Sequence, residues 1–224
     1  MTDKMGTMET ATKQTRNPEA TKERIFAAAA RIFAKSGFDG ARVDRIAAAA
    51  RINKQLIYHY FGSKDALFTA VLERAYIQFR GEEASLELDS LPADQAILAL
   101  VEFTWDYYLR NPDFIRLLNT ENQMEARHLK ASSHTRQINA SHISIARRIL
   151  HRGKCDGSIR PEIDVLQLNV SIAALGFFYL INRHTLSTVF ERDLTSKRML
   201  GRRLAAMKDI VGCWIRPQPK TRKR

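Results

Sequence analysis

Five side chains within one short stretch have the chemistry to read a polyanion: Lys54, Gln55, Tyr58, His59 and Lys64. Ammonium groups suit phosphate oxygens, and a glutamine amide matches the paired donor and acceptor that adenine shows in a major groove. To work together they must project from one helix. The stretch is VDRIAAAARINKQLIYHYFGSK, Val43 to Lys64. Val43, Ile46, Ala47 and Ala50 recur at helical intervals and give a first helix one apolar face. Arg51 and Ile52 make a turn, and Asn53 offers an N-cap oxygen to a second helix from Lys54 to about Tyr60. Ile57 and Phe61 then face inward, and Ala47 is small where two steeply crossed helices must approach. Two readings fit this pattern: a helix-turn-helix whose second member enters DNA, or an ordinary αα-hairpin with a polar outer face.

A wider set of residues separates the two. Ile32-Phe33, Gly37-Phe38, Ile46-Ala47, Ile52-Asn53-Lys54, Ile57-Tyr58, Tyr60-Phe61 and Ser63-Lys64-Asp65-Ala66-Leu67 follow one another in order. From about Thr21 to Leu72 the chain thereby resembles the TetR/AcrR family DNA-binding domain. The resemblance implies that Lys54, Tyr58 and Lys64 face phosphates, and that Gln55, Leu56 and Tyr60 fall where base edges are reached. Leu56 sits at a spacing that also suits plain core. Two departures stand out. Arg51 occupies a turn position where the family usually has Gly; in a left-handed conformation it costs about 1 kcal/mol relative to Gly. Ala41 and Arg42 replace hydroxyl residues, so Arg42 is left to supply a charged phosphate contact. The resemblance further implies a homodimer on a roughly palindromic double-stranded DNA operator, released by a small-molecule effector, with no cofactor.

Composition agrees with a DNA-binding head. The 224 residues carry a net charge of +12. Met1 to Lys64 holds 12 Lys/Arg against 6 Asp/Glu, and Arg216 to Arg224 holds 5 basic residues and no acidic one, leaving the long middle almost neutral. A local basic surplus favours a polyanion through counterion release. Cys155 and Cys213 are far apart and form no C-x-x-C, as expected of free thiols in a reducing compartment. Scattered charge at the start argues against a signal peptide, and Gln167, Asn169 and Ser171 interrupt the longest apolar run, against a membrane span. A soluble cytoplasmic protein is expected. No G-x-G-x-x-G, Walker A, H-E-x-x-H or G-x-S-x-G occurs, so no catalytic residue is assigned. His128, His134, His142 and His151 lack the spacing and the paired cysteines of a metal site and read as surface or core residues.

The remainder reads all-α, without strand-type alternation. The expected organisation is a polar, disordered tail at 1–16, a three-helix helix-turn-helix domain at 17–64, a helical effector-binding and dimerisation domain at 65–215, and a basic tail at 216–224. Asn17 and Pro18 start a bracing helix whose buried stripe is Ile25, Ala29, Ile32 and Phe33, and Gly37 ends it. Ser63 caps a connecting helix to about Phe79, and 81–91 is an acidic break. Helices follow at about 94–110, 112–125 and 133–152, the last marked by Ile138, Ile145 and Ile149. A turn-rich link spans 153–161. The two final helices, about 163–183 and 196–215, are the expected dimer contact through Ala173 and Phe177 on one, and Leu200, Leu204, Met207, Val211 and Trp214 on the other. A pair packed only within its own subunit has the same pattern. Trp105, Tyr108, Phe114 and Tyr179, with Asn119, Asn122, Phe178 and Asn182, are the candidate effector pocket; aromatics at helical spacing equally make core. The competing function is a helical, sequence-nonspecific nucleic-acid binder without a ligand switch, driven by head and tail.

Overall fold

The computed structural model describes residues 17–132 and 134–217, with backbone alone over 135–142. The expected tail at 1–16, nearly all of the basic tail, and the side chains of Ile138 and His142 lie outside the described residues. All described secondary structure is helical.

The first helix, α1 (Pro18–Gly40), starts where the Asn17 side chain accepts from the Glu19 and Ala20 N–H groups, with Pro18 in the first turn. At Gly37 the backbone turns through φ +67°, which bends the chain and lets Phe38 bury. Next come α2 (Val43–Ala50), α3 (Lys54–Phe61) and α4 (Lys64–Ala84). Ile25, Ala29, Phe33, Ile46, Ala47, Ile57, Leu67 and Phe68 meet in one apolar cluster, the core of the head.

The body comprises α5 (Ala93–Arg110), α6 (Pro112–Gln123), α7 (Arg127–Ala131), α8 (Thr135–Asp156), α9 (Val165–Ile181), α10 (Arg183–Val189) and α11 (Lys197–Ile215). Its core is rich in aromatics: Phe79 stacks on Phe103 and Phe114 and meets Tyr107 edge-on. The helix α4 is shared, since Leu67, Phe68, Val71 and Leu72 pack in the head and Phe79 packs in the body. In return α6 packs on α1 and sends Leu117 into the head's core.

Two helix ends differ from the sequence expectation. The connecting helix runs past Phe79 to Ala84, because Glu83 is buried and pairs with Arg80 one turn earlier; its charge therefore does not mark a loop. The helix expected to end near Arg152 continues to Asp156 and stops at Gly157, φ +77°. Gly153 is inside it, where a Cβ would lie 2.5 Å from the Ile159 Cδ1 atom. That glycine serves close packing, not a turn.

Candidate nucleic-acid interface

The placement of α3 follows from three local interactions. Arg51 takes the left-handed conformation, φ 55° and ψ 50°, and its N–H donates to the Ala48 carbonyl at 3.1 Å. The Ile52 N–H donates to the Ala47 carbonyl at 3.0 Å, and Asn53 Oδ1 accepts from the Gln55 N–H at 2.9 Å. Ile57 then enters the core with no exposed surface. One buried residue on an eight-residue helix fixes which face looks out. Lys54, Gln55, Tyr58 and His59 are all exposed, Tyr58 by 43%.

Seven of the eight expected contact residues fall into three groups. Gln55, Leu56 and His59 line an open concavity of about 570 Å³ between α3, the turn and α1. Leu56 is half-buried there and outside the head's apolar cluster, so it is a groove residue, not core. Tyr58 and Arg42 face solvent. Lys54 and Lys64 have partners within the head. Lys54 Nζ lies 2.8 Å from Asp44, whose hydrogen bond holds the ammonium above the usual lysine pKa. Lys64 Nζ donates to the Asp39 carbonyl at 3.4 Å and sits 4.4 Å from the Phe38 ring centre. Tyr60 is half-buried, packs against the head's core, and carries Lys22 5.8 Å over its ring. A residue two places after Tyr58 has rotated toward α1, away from the exposed face. Arg24 and Thr21, on α1, border the concavity and were missed. Their three-residue spacing puts them on one side of α1, but nothing in the sequence aims that side at α3.

In the body, a cavity of about 50 Å³ lies between α4, α5 and α9, bounded by Arg80, Glu83, Thr104, Tyr108, Asn169 and Ala173. Arg80 Nη1 donates to Glu83 at 3.0 Å, while its Nε is buried without a hydrogen-bond partner. Burial pushes the Tyr108 phenol well above the ordinary tyrosine range. A second, more open recess of about 220 Å³ has Tyr108, Leu109, Ile115, Leu180 and Arg183 on its walls. Of the eight expected pocket residues only Tyr108 borders these cavities. Trp105, Phe114 and Tyr179 are core, with Trp105 and Tyr179 packed edge-on at 5.7 Å. Asn119 is half-buried, and the Asn182 amide donates back to the Phe178 carbonyl. Asn122 and Phe178 are corrected outright, because both face solvent. Of the polar cavity residues on α4, Glu83 was missed because it falls in the expected acidic break at 81–91, and Arg80 because it lies past the expected helix end near Phe79.

Comparison with known proteins decides the family. Residues 25–71 match the model of bacterial regulatory proteins, tetR family, and residues 94–211, over half of the chain, match the tetracyclin repressor-like C-terminal domain. The chain belongs to the TetR family. It is a DNA-binding transcriptional regulator of the repressor kind. It is 38% identical over 193 residues to the HTH-type transcriptional repressor NicS of Pseudomonas putida, covering 86% of this chain and 91% of that one. It is also 38% identical over 160 residues to the HTH-type transcriptional repressor SCO4008 of Streptomyces coelicolor, covering 70% and 79%. The solved structure of the transcriptional regulator SCO4942 from Streptomyces coelicolor superposes with a TM-score of 0.67 at 27% identity, over 88% of this chain and 99% of that one. TetR-family regulators bind DNA operators, typically as dimers, and respond to small molecules.

For a TetR-family chain the outer face of α9 is the notable surface. Leu166, Val170 and Phe178, at four- and eight-residue steps, are 55%, 53% and 60% exposed. Ile210, on the neighbouring α11, is half exposed. Met207 and Val211, expected at the interface, are fully buried in the subunit's own core, and Phe177, Leu200, Leu204 and Trp214 pack against it half-buried. Ala173 faces the inner cavity. Apolar periodicity selects the inward face of a helix first; α9 is apolar apart from Gln167, Asn169 and Ser171 and keeps a second apolar face outside.

Head and body are joined through His128. Its ring is buried between Phe38 and Phe68, with centroids 4.9 and 4.7 Å away. Nδ1 lies 2.7 Å from one Glu121 oxygen, and the other accepts from the His128 and Leu129 N–H groups. Asp65, at the start of α4, stands 3.4 Å from Nε2. Among the described residues no group of His, Cys, Asp and Glu could hold a metal ion, and no single helix is long and apolar enough to cross a membrane.

Proposed function

We propose that the protein acts as a cytoplasmic homodimer that places α3 of each protomer in successive major grooves of a palindromic operator. The observation that carries this reading is the orientation of α3: one buried anchor, Ile57, and an outer face of Lys54, Gln55, Tyr58 and His59. In this reading Gln55 and Leu56 read base edges, with the amide suited to adenine and the isobutyl group to a thymine methyl. Tyr58, Lys54, Lys64 and Arg42 hold the backbone. The apolar stripe of Leu166, Val170 and Phe178 pairs with its symmetry mate, since a closed dimer needs a self-complementary patch. Doubling an eight-residue reading helix supplies the specificity that one lacks.

The effector, in the same reading, enters the body beside Tyr108 and meets the Arg80–Glu83 pair on α4. Because α4 belongs to both cores, a ligand that prefers a different α4 tilt respaces the two α3 helices and releases DNA. Catalysis has no part in this scheme. Selection of bound duplexes from a random pool by the full-length protein is the test. A recovered motif with two inverted half-sites about one helical turn apart is the expected result. Equal retention of every duplex would favour the nonspecific binder and overturn the proposal.

A further inference from the structure

Arg51 is the departure that the helix-turn-helix does not absorb. Its backbone occupies the left-handed region that favours glycine, φ 55°. The turn's hydrogen bonds come from main-chain N–H groups, which glycine would supply equally. Its side chain therefore contributes nothing that the turn requires. Among the described residues the guanidinium has no acidic partner, and it borders the same concavity as Gln55, Leu56 and His59, with Arg24 of α1 also on that rim. The lysines expected to hold phosphates are differently placed: Lys54 is tied to Asp44, and Lys64 to the Asp39 carbonyl and the Phe38 ring. A phosphate competes with those internal contacts, whereas Arg51 offers an uncompensated charge with a forked donor geometry that matches phosphate oxygens.

We propose that Arg51 is a DNA-phosphate contact, delivered to the mouth of the reading groove by its left-handed turn, with Arg24 facing the same strand from α1. The proposal rests on α3 being the reading helix, and the experiment separates the two. Affinity of the full-length protein for its selected operator is measured by fluorescence anisotropy between about 50 and 200 mM salt, for wild type, Arg51→Gly, Arg51→Lys and Gln55→Ala. Each phosphate contact contributes about 0.9 to the slope of log affinity against log salt. For a dimer, Arg51→Gly is expected to lower that slope by about 1.8, so the affinity lost across this range shrinks about 12-fold. Base preference stays the same, the melting temperature does not fall, and Arg51→Lys keeps the slope. A smaller, parallel reduction is expected for Arg24→Gln. An unchanged slope in Arg51→Gly, or a loss confined to one base-pair position, overturns the phosphate role. If Gln55→Ala still alters base preference in that case, only Arg51 is misassigned; if neither variant changes anything, α3 is not the reading helix.

Discussion

Head and body place polarity in opposite ways. In the head the core is apolar apart from the buried Thr21 and the His128 ring set between Phe38 and Phe68, and the exposed face of α3 is amide, ammonium, phenol and imidazole. In the body an arginine–glutamate pair sits inside beside Thr104, Tyr108 and Asn169, while Leu166, Val170 and Phe178 lie outside. A folded chain gains by burying apolar surface and loses by burying charge without full pairing. The head obeys this rule and leaves its polar surface for a hydrated polyanion. The body departs from it inward, at the Arg80–Glu83 and Glu121–His128 pairs, and outward, on α9, and the Arg80–Glu83 cavity and the α9 stripe are places that a second molecule can complete. The inner cavity, about 50 Å³, shares Tyr108 with the more open recess of about 220 Å³ through which a small molecule can approach it, and the outer apolar stripe suits another copy of the chain.

That contrast can be broken at four points. The largest effect is expected at the inner break. Glu83→Ala leaves Arg80 buried without its carboxylate, and urea unfolding should show a loss of about 3–5 kcal/mol, whereas Glu19→Ala, on the exposed face of α1, should change little. The outer break comes next: Val170→Asp with Phe178→Asp should weaken self-association at least 100-fold, about 2.7 kcal/mol, in sedimentation equilibrium. The far-ultraviolet circular dichroism of that double variant should match wild type, because both side chains are exposed; retention of a wild-type dimer would move the interface elsewhere.

The head's outward polarity is tested by Gln55→Ala, which should shift base preference at one operator position by about 1–3 kcal/mol, while Tyr58→Ala weakens all duplexes alike. Binding to a panel of single-base operator variants distinguishes the two. The smallest effect concerns pH. Burial raises the Tyr107 phenol to about 12. Its folded pKa lies above the unfolded value near 10, so its contribution to stability is complete below about pH 10 and is lost as pH climbs through 12. Unfolding midpoints taken near pH 9 and pH 11 should therefore converge in Tyr107→Phe more than in wild type.

Much of the head was readable in the chain because its interactions are local. Asn17, Asn53 and Ser63 each cap the helix that follows, and Val43, Ile46, Ala47 and Ala50 mark one face without interruption. Tyr60 was the exception: its spacing allowed an outward role, but the nearby α1 offered packing and Lys22. In the body the sequence located most helices yet misjudged their faces. Met207 and Val211 were apolar for internal reasons, and Asn122 and Phe178 pointed away from the interior. His128 looked like one of several scattered histidines until α6 and α7 brought Glu121 to it and the head supplied Phe38, Phe68 and Asp65.

The order of amino acids alone determined that the chain is helical and where α3 begins, because capping and 3.6-residue periodicity act within a few positions. Only the tertiary structure decided that Arg80 and Glu83 enclose a cavity, that α9 keeps an apolar face to solvent, and that Arg24 joins Arg51 at one groove. Those outcomes depend on which helix packs against which, and one helix's pattern of apolar residues carries no record of its neighbours.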